Sequence, residues 1–323
     1  MRAEPLFKLL QSVQEQILYP DEILIIDGSS NKETENILSE NQFKNLKYFL
    51  VPEETRGLTK QRNFGISKAD IDSEVLCFLD DDTLLEPDYF NEIIKTFQED
   101  KNIVGVGGVA INENKWKLQQ PDVSYNPKNY YLFEGYFYKE GLRNVVRNYF
   151  GLASNLGPGK MSDYSHGRTC GFPLTGKTYN VDLLIGMSMS FRKSLFEHIK
   201  FSRFFEGYGL YEDADFSIRA LQFGKNVMNT NARLSHFHDS SGRPNKYQYG
   251  KMVVRNGWFV WRVKNQNPGF KDRFKWNAIT ILLTIIRFTN VFTESNKKEA
   301  FTEAIGRTVG WWSLFLDKPK ERK

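Results

Sequence analysis

The sequence predicts an α/β fold, in which helices cover both faces of a mostly parallel β-sheet. Short, unbroken apolar runs alternate along the first third of the chain with segments whose apolar residues recur at helical spacing. Strands that are buried on both faces have such unbroken runs, and alternation with helices indicates parallel crossover connections. The hydrophobic content of 40%, with 15% aromatic residues, is sufficient for a packed core.

The chain opens with an amphipathic helix, because Leu6, Leu9, Leu10 and Val13 fall at helical spacing. The next segments predict strands at 22–27, 46–51, 75–80 and 103–111, and helices at 31–40, 58–68 and 87–100. A doubly wound sheet normally begins with a central strand that carries ligand-binding residues at its carboxyl end. We therefore expect that the first strand of the sheet is missing from this chain.

The alternation stops after Asn112. Residues 112–180 are rich in Tyr, Gly, Asn and Pro and predict long loops with a short helix near 141–150, an arrangement typical of a lid or binding loop. Order returns with a strand at 183–191, a helix at 211–223 and a short strand near 231–235. The chain is then helical and basic, so we expect a main domain at 1–240 and a basic helical C-terminal extension at 241–323.

Charge is unevenly distributed along the chain. The formal net charge is +5, yet the segment from Arg243 to Lys275 contains nine basic residues and Asp272 as its one acid. Such a segment suits phosphate groups, nucleic acid or an anionic membrane surface, or forms a solvated helix face. The apolar run at 278–292 contains Arg287 and is short for a bilayer span, so we expect a core helix or one in the membrane interface.

The cysteine content indicates a reducing compartment. Cys77 lies in a predicted buried strand and Cys170 in a glycine-rich loop, so we expect that the two do not pair. No signal peptide precedes the first helix. We therefore expect a cytoplasmic protein.

Three consecutive aspartates, Asp80, Asp81 and Asp82, stand at the end of the third predicted strand. In extended backbone Asp80 and Asp82 project to one side and Asp81 to the other. Two carboxylates at the carboxyl end of a strand form half of a site for Mg²⁺ or Mn²⁺. One acid would be enough to cap the helix expected near Glu86, so three in a row favour a metal.

Six motifs occur together between Arg2 and His238: IIDGSS, TRGLTKQRNFG, FLDDDTLLEPDYF, GMSMSFRKSLFE, YEDADFSIR and LSHFH. In this order they resemble the family-2 inverting glycosyltransferases, which have the GT-A fold. The resemblance implies a nucleotide-sugar donor, Mn²⁺ or Mg²⁺ as cofactor, and transfer of a sugar to a hydroxyl of a glycan or lipid-linked acceptor. It also divides the main domain into a nucleotide-binding half at 1–111 and an acceptor half at 112–240.

The same resemblance implies roles for residues on the donor side. Asp82 would hold the metal together with His236, and His238, on the same side of an extended chain, is the alternative ligand. The residues implied to bind the nucleotide sugar are Asp27, Arg62, Asp80 and Asp81. The sequence leaves an alternative for two of them: Asp27 could open a DGSS turn, and Arg62 could be a surface arginine of a helix.

The motif YEDADFSIR lies where the family has its general base. Inversion by one in-line displacement needs a carboxylate that takes the proton of the acceptor hydroxyl. The resemblance gives this role to Asp213, and gives acceptor binding to Glu212, Gly186, Met187 and Ser188. Acids in the first turn of a helix also stabilise its dipole, and Asp215 is most simply paired with Arg219 four residues on.

The sequence departs from the family at its start. Members begin with a strand that ends in a Thr-Tyr-Asn-Arg-like turn, and residues 1–4 stand here where that turn ends. We therefore expect that Met1 is an internal methionine and that roughly ten to fifteen residues precede it, the length of a strand and its lead-in.

Three other functions remain open at this stage. A sugar nucleotidyltransferase also uses paired acids and Mg²⁺, but it normally has an early glycine-rich phosphate loop, which this sequence does not show. A non-catalytic sugar-nucleotide-binding subunit would not need the intact acids. Nucleic-acid binding has the basic segment but no recognition motif in its favour. We expect no nucleic-acid partner, and a peripheral contact with the inner face of the cell membrane, where lipid-linked acceptors reside.

Overall fold

A computed structural model of the chain describes residues 2–165, 171–238, 244–293 and 295–320. Cys170, which we expected to be unpaired, and Arg243, at the start of the basic segment, lie outside these residues. The described residues form two compact units. The first comprises Met1–Asn114 and Leu174–Ser241, and the second comprises Lys115–Pro173 and Gly242–Lys323.

The first unit contains most of the predicted elements. Its helices are α1 (Ala3–Gln14), α2 (Glu33–Glu40), α3 (Leu58–Lys68), α4 (Tyr89–Glu99) and α6 (Glu212–Ala220). Its strands are β1 (Ile23–Asp27), β2 (Leu46–Leu50), β3 (Val75–Leu79), β4 (Thr83–Leu85), β5 (Ile103–Ala110), β9 (Thr178–Val181), β10 (Ser188–Arg192) and β11 (Lys225–His236).

The second unit contains the remaining elements. Its helices are α5 (Leu142–Tyr149), α7 (Lys246–Lys264), α8 (Phe270–Thr289) and α9 (Lys297–Leu316), and its strands are β6 (Lys117–Leu118), β7 (Tyr130–Phe133) and β8 (Tyr136–Lys139). Short 3₁₀ turns at Glu53–Thr55, Lys193–Glu197, Arg203–Phe205 and Asn290–Phe292 complete the regular structure described.

The α/β fold class is confirmed. Strands β1 and β2 pair in parallel, and β5 and β11 pair in parallel within a larger sheet of order β3-β10-β5-β11-β4. Because β10 is antiparallel to both β3 and β5, these two strands also share one direction. Strands β4 and β9 pair antiparallel with β11. The sequence pattern gave no sign of these reversed strands, since a buried strand has the same composition in either direction.

The core of the first unit lies where α1 and α4 pack on the sheet. Leu10 of α1 and Ile93 of α4 belong to one buried cluster with Ile25, Val106 and Leu234 of the strands. Each helix therefore contributes one apolar stripe, as their spacing predicted. Tyr89, at the start of α4, is also fully buried, and its hydroxyl bonds to Ser188 Oγ at 2.7 Å.

Two predictions of secondary structure after Asn112 were wrong. Residues 112–180 are not long loops alone: they contain α5, as expected, but also β9 and the antiparallel sheet β6-β8-β7. The last strand of the first unit is not a short piece at 231–235 but the twelve-residue β11. The polar residues Asn226, Asn229 and Thr230 did not predict a buried strand. Their burial is possible because their side chains form hydrogen bonds within the fold.

The C-terminal region is helical, as the sequence predicted. Helices α7 and α9 cross so closely that a Cβ on Gly306 would lie 2.1 Å from the carbonyl oxygen of Tyr247. Glycine is therefore required at that crossing. Among the described residues, no helix is both long enough and apolar enough to cross a membrane.

Candidate active site

The three aspartates lie in a turn between β3 and β4, not in continuing strand as the sequence analysis assumed. Thr83 closes this turn by donating from its N–H and its hydroxyl to the carbonyl oxygen of Asp80, at 3.3 and 2.8 Å. The carboxylates still separate as expected. Asp80 and Asp82 join one cluster of possible ligand atoms, whereas Asp81 contacts the guanidinium of Arg2.

His236 reaches this turn through strand pairing. It ends β11, where it stands opposite Thr83 of β4, and the N–H of Phe237 donates to the carbonyl oxygen of Asp82 at 2.9 Å. Its Nε2 lies 3.4 Å from Asp82 Oδ1. Ligand atoms of Asp80, Asp82 and His236 all lie within 4.8 Å of one another. Two carboxylates and one imidazole suit Mn²⁺ somewhat better than Mg²⁺, so these residues fit the divalent metal that the sequence implied.

A second carboxylate holds the other nitrogen of His236. Glu113 Oε1 lies 2.9 Å from His236 Nδ1 and 2.9 Å from His238 Nε2. With its proton on Nδ1, His236 donates to Glu113 and turns the lone pair of Nε2 toward Asp82. In this arrangement His236 is the histidine that faces Asp82, and His238 lies beside Glu113. No motif in the sequence pointed to Glu113.

Arg62 is the centre of the site, not a surface arginine. Its guanidinium is buried, contacts Glu212, and lies 3.6 Å from Asp80 Oδ1 and 3.3 Å from the carbonyl oxygen of Gly186. The guanidinium carbon also lies 5.4 Å from the ring centre of Phe201 and 5.9 Å from that of Phe78. Acids and aromatic faces together thus compensate the cost of burying this cation.

A strained turn precedes α6 and sets the direction in which the acids of its first turn project. Tyr211, directly before the helix, has φ +71°, and Gly207 and Gly209 also have positive φ. A non-glycine residue in this conformation is uncommon and costs free energy, so its surroundings must hold it there. Phe216 anchors the helix by stacking on Phe201 at a centroid distance of 4.3 Å.

Both oxygens of Asp213 accept backbone hydrogen bonds. Oδ2 accepts from the N–H of Gly186 at 3.0 Å and Oδ1 from the N–H of Ala214 at 2.8 Å. The carboxylate is half-buried. It is therefore fixed in place, and each oxygen keeps a lone pair for a further partner.

Burial sets the protonation of the two acids that surround Arg62. It raises the pKa of Glu212 to about 8, with a further contribution from Asp213, whereas Arg62 acts in the opposite direction. It also raises the pKa of Asp80, opposed by Arg62 and reinforced by Asp82. Burial acts to lower the pKa of Arg62, but the carboxylates of Glu212 and Asp80 outweigh it, so that this pKa lies above its ordinary value. The site thus concentrates negative charge around one cation, and further positive charge would be favourable there.

Not every predicted site residue presents its side chain to this cluster. Ser188 is fully buried and its Oγ accepts from the N–H of Gly108, while the side chain of Met187 lies in the core. For these two, the prediction of acceptor binding can apply only to the backbone. Gly186 does lie at the cluster, through the contacts of its N–H and carbonyl group.

Asp27 forms the turn that the sequence offered as its alternative role. Its side chain is fully buried, with Oδ1 accepting from the N–H of Ser29 at 2.8 Å and Oδ2 from the hydroxyl of Tyr48 at 3.0 Å. Burial acts to raise the pKa of Asp27, but the bonds from Ser29 and Tyr48 outweigh it, and the pKa lies below its ordinary value. The predicted pair of Asp215 and Arg219 is also present, at 2.5 Å.

Arg2 is the other functional candidate that sequence reasoning missed. Besides contacting Asp81, its Nη1 lies 3.0 Å from Asp82 Oδ2. The only signal was its position, at the start of the region that the motifs cover. Arg2 therefore offsets the charge of Asp81 and Asp82. Asp80 is paired with Arg62 instead.

Comparison with known proteins gives a family match for the first half of the chain. Residues 2–154 match the sequence model of the family described as "Glycosyl transferase family 2". The chain is 29% identical over 133 residues to a putative glycosyltransferase, EpsH, of Bacillus subtilis, covering 39% of this chain and 38% of the relative. It is 24% identical over 136 residues to a glucosyl-dolichyl phosphate glucuronosyltransferase of Haloferax volcanii, covering 42% and 41%. The match thus spans about two fifths of the length of these relatives.

Among solved structures, the chain is similar to the mannosyltransferase PcManGT from Pyrobaculum calidifontis, in complex with GDP-Man and Mn²⁺. The TM-score is 0.48 at 13% sequence identity, and the alignment covers 98% of this chain and 72% of that one.

Proposed function

Because residues 2–154 match the sequence model of glycosyl transferase family 2, we propose that the chain is a member of this family. It would move a sugar, with inversion, from a nucleotide-sugar donor to a hydroxyl of a glycan or lipid-linked acceptor. One observation carries this proposal. Asp80 and Glu212, which lie far apart in the chain, meet at the buried guanidinium of Arg62, and Gly186 joins Asp213 to the same cluster. A donor-side acid and an acceptor-side acid thus face one site.

Asp213 is the general base of this proposal. A base must be held within hydrogen-bond reach of the hydroxyl whose proton it takes. The N–H groups of Gly186 and Ala214 fix its carboxylate without using all of its lone pairs. Glu212, protonated or paired with Arg62, is the neighbour that would orient the acceptor.

The donor side of the proposal consists of Asp80, Asp82 and His236. These residues would hold Mn²⁺ or Mg²⁺, and the bound ion would offset the charge on the departing nucleoside diphosphate. Arg62 and Arg2 supply permanent positive charge beside the same acids. Asp27 and Asp81 remain proposed contacts of the nucleotide sugar.

A lipid-linked acceptor would place the reaction at the inner face of the cell membrane. The Haloferax relative is named for action on a sugar carried by dolichyl phosphate, which supports this class of acceptor. The alternative acceptor within the same proposal is a hydroxyl of a growing polysaccharide.

The test is release of nucleoside diphosphate from a panel of nucleotide sugars with Mn²⁺ or Mg²⁺. Asp213→Asn should lower transfer by about 10²- to 10⁴-fold, the usual contribution of a general base, while leaving donor binding intact. Asp82→Asn should remove metal-dependent turnover. The exposed Asp72→Asn is the matched control and should leave activity unchanged. Full transfer by Asp213→Asn would exclude it as the base, and release of pyrophosphate from a sugar phosphate and a nucleoside triphosphate would indicate nucleotidyl transfer instead.

A further inference from the structure

The second unit exposes a long apolar stripe on α8. Phe270, Phe274 and Ile285 are 86%, 65% and 52% exposed, and Ile281 is exposed between them. Their spacing of four, seven and four residues places them on one side of the helix. The opposite side, with Trp276 and Ile279, is buried within the unit. Helix α8 is therefore apolar on two sides, of which one is buried within the unit and the other is exposed.

The end of α5 extends this stripe into a groove. Phe150 and Leu152 line it together with residues of α8, and the open space has a volume of about 370 Å³. The residues of α8 that line it are Phe274, Asn277, Ala278, Ile281, Leu282 and Ile285. Asn277 is the polar member, and its amide already donates to the carbonyl oxygen of Arg273 and accepts from Trp311 Nε1. The groove thus offers apolar contact, and a continuous exposed patch of this kind usually marks a binding surface.

The unit that exposes this apolar surface is strongly basic. The second unit contains 25 Lys and Arg residues against 10 Asp and Glu residues, whereas the first contains 19 against 29. Lys271 and Arg273 are exposed on α8, beside the stripe. Burial and the neighbouring Arg143 lower the pKa of Arg147 on α5, and burial and Arg273 lower the pKa of Arg262. Burial is the larger cause in both cases, and the excess of positive charge in the unit as a whole is what favours an anionic partner.

We propose that the surface formed by the end of α5 and the exposed side of α8 binds an anionic lipid bilayer, with Phe150, Phe274 and Ile285 in the interfacial layer. Aromatic and aliphatic side chains next to Lys and Arg are the combination that interfacial helices use. A second copy of the chain would bring two strongly positive surfaces together, and a nucleic acid would leave the apolar stripe exposed. The charge and the stripe therefore favour the bilayer.

This contact is independent of sugar transfer, although it would bring the enzyme to the lipid-linked acceptors of the proposed function. It can be measured on the full chain without donor, acceptor or metal. A failure to bind membranes would consequently leave the proposed reaction standing, and an inactive protein could still bind them.

The experiment is co-sedimentation of the protein with vesicles of phosphatidylcholine alone or mixed with phosphatidylglycerol. We expect binding to the mixed vesicles at least tenfold stronger than to phosphatidylcholine, and weakened by added salt because exposed charges are screened. Phe274→Ser/Ile285→Ser should reduce the binding at least tenfold. Ile71→Ser, which changes an exposed isoleucine of the first unit, is the matched control and should bind like the unchanged protein.

A second readout does not depend on removing apolar residues. Phe274→Trp should show a blue shift of its added tryptophan fluorescence, and quenching by brominated lipid, on the mixed vesicles only. Equal binding by Phe274→Ser/Ile285→Ser, or absence of binding to both vesicles, would overturn the proposal. So would a dimer in sedimentation that the same double substitution dissociates, or tighter binding to RNA than to the mixed vesicles.

Discussion

The two units each bury a charged group between partners, but with opposite signs. In the first, the cation Arg62 is shared by Glu212 and Asp80. In the second, the anion Glu303 is shared by Arg287 at 3.0 Å and Arg307 at 2.7 Å, and it joins α8 to α9. The same pairing physics therefore has two results. The first cluster has more acids than bases and lies at the candidate active site. The second holds α8 against α9, in a unit whose net charge is positive.

The largest expected effect comes from removing the shared cation. Arg62→Met leaves Glu212 and Asp80 buried without compensation, so we expect the free energy of unfolding to fall by about 3–5 kcal/mol and transfer to be lost. Urea denaturation and nucleoside diphosphate release measure the two effects. Arg62→Met/Glu212→Met should recover much of the stability but none of the activity. Unchanged stability of the single variant would show that the pair does not act as a buried ion pair.

Removing the shared anion Glu303 should lower stability about as much as the Arg62 substitution, or slightly less, and should leave sugar transfer unchanged. Glu303→Gln leaves Arg287 and Arg307 facing each other, and we expect a loss of about 3 kcal/mol in urea denaturation. The control is Glu299→Gln, whose exposed carboxylate pairs with Lys246 at 3.4 Å and should contribute less than about 1 kcal/mol. Equal losses for the two variants would contradict the comparison between buried and exposed pairs.

The next effect concerns the proposed metal ligands of the first unit. Glu113→Gln removes the carboxylate that holds Nδ1 of His236, and we expect Mn²⁺ affinity in calorimetry to fall about 10- to 100-fold. His238→Gln should change the affinity much less, because only His236 also faces Asp82. A larger loss for His238→Gln would reverse the assignment of the ligand.

The smallest effect should come from one hydrogen bond in the same unit, donated by a tyrosine to a carboxylate. Tyr48→Phe removes a donor to the buried Asp27 and should cost about 1 kcal/mol at neutral pH. Because this bond lowers the pKa of Asp27 in the folded state, its contribution is complete above the unfolded pKa of about 3.9 and is lost as pH falls through the folded value. Urea denaturation of both proteins at several pH values should therefore give converging stabilities in acid. A constant difference down to pH 3 would show that Asp27 is not the partner that matters.

The sequence determined the parts of the molecule that depend on neighbours along the chain. Period and composition correctly placed α1 and α3, the strands β1 to β3, and α5, because a helix stripe or a buried strand is a local pattern. The ordered motifs also resemble those of the family whose model residues 2–154 match, and they made Asp80, Asp82 and Asp213 candidate site residues. The i,i+4 pair of Asp215 and Arg219 is local in the same way.

Only the tertiary structure decided which distant groups share a charge or a face. Arg62 changed from a possible surface residue to the buried centre of the site because Glu212 of α6 and the rings of Phe78 and Phe201 lie against it. Glu113 gained a role because β11 brings His236 to its side. Likewise, the apolar run in α8 predicted either a core helix or one in the membrane interface, and only packing shows that one side is covered and the other exposed. Burial and pairing are properties of three-dimensional neighbours, and local sequence does not contain them.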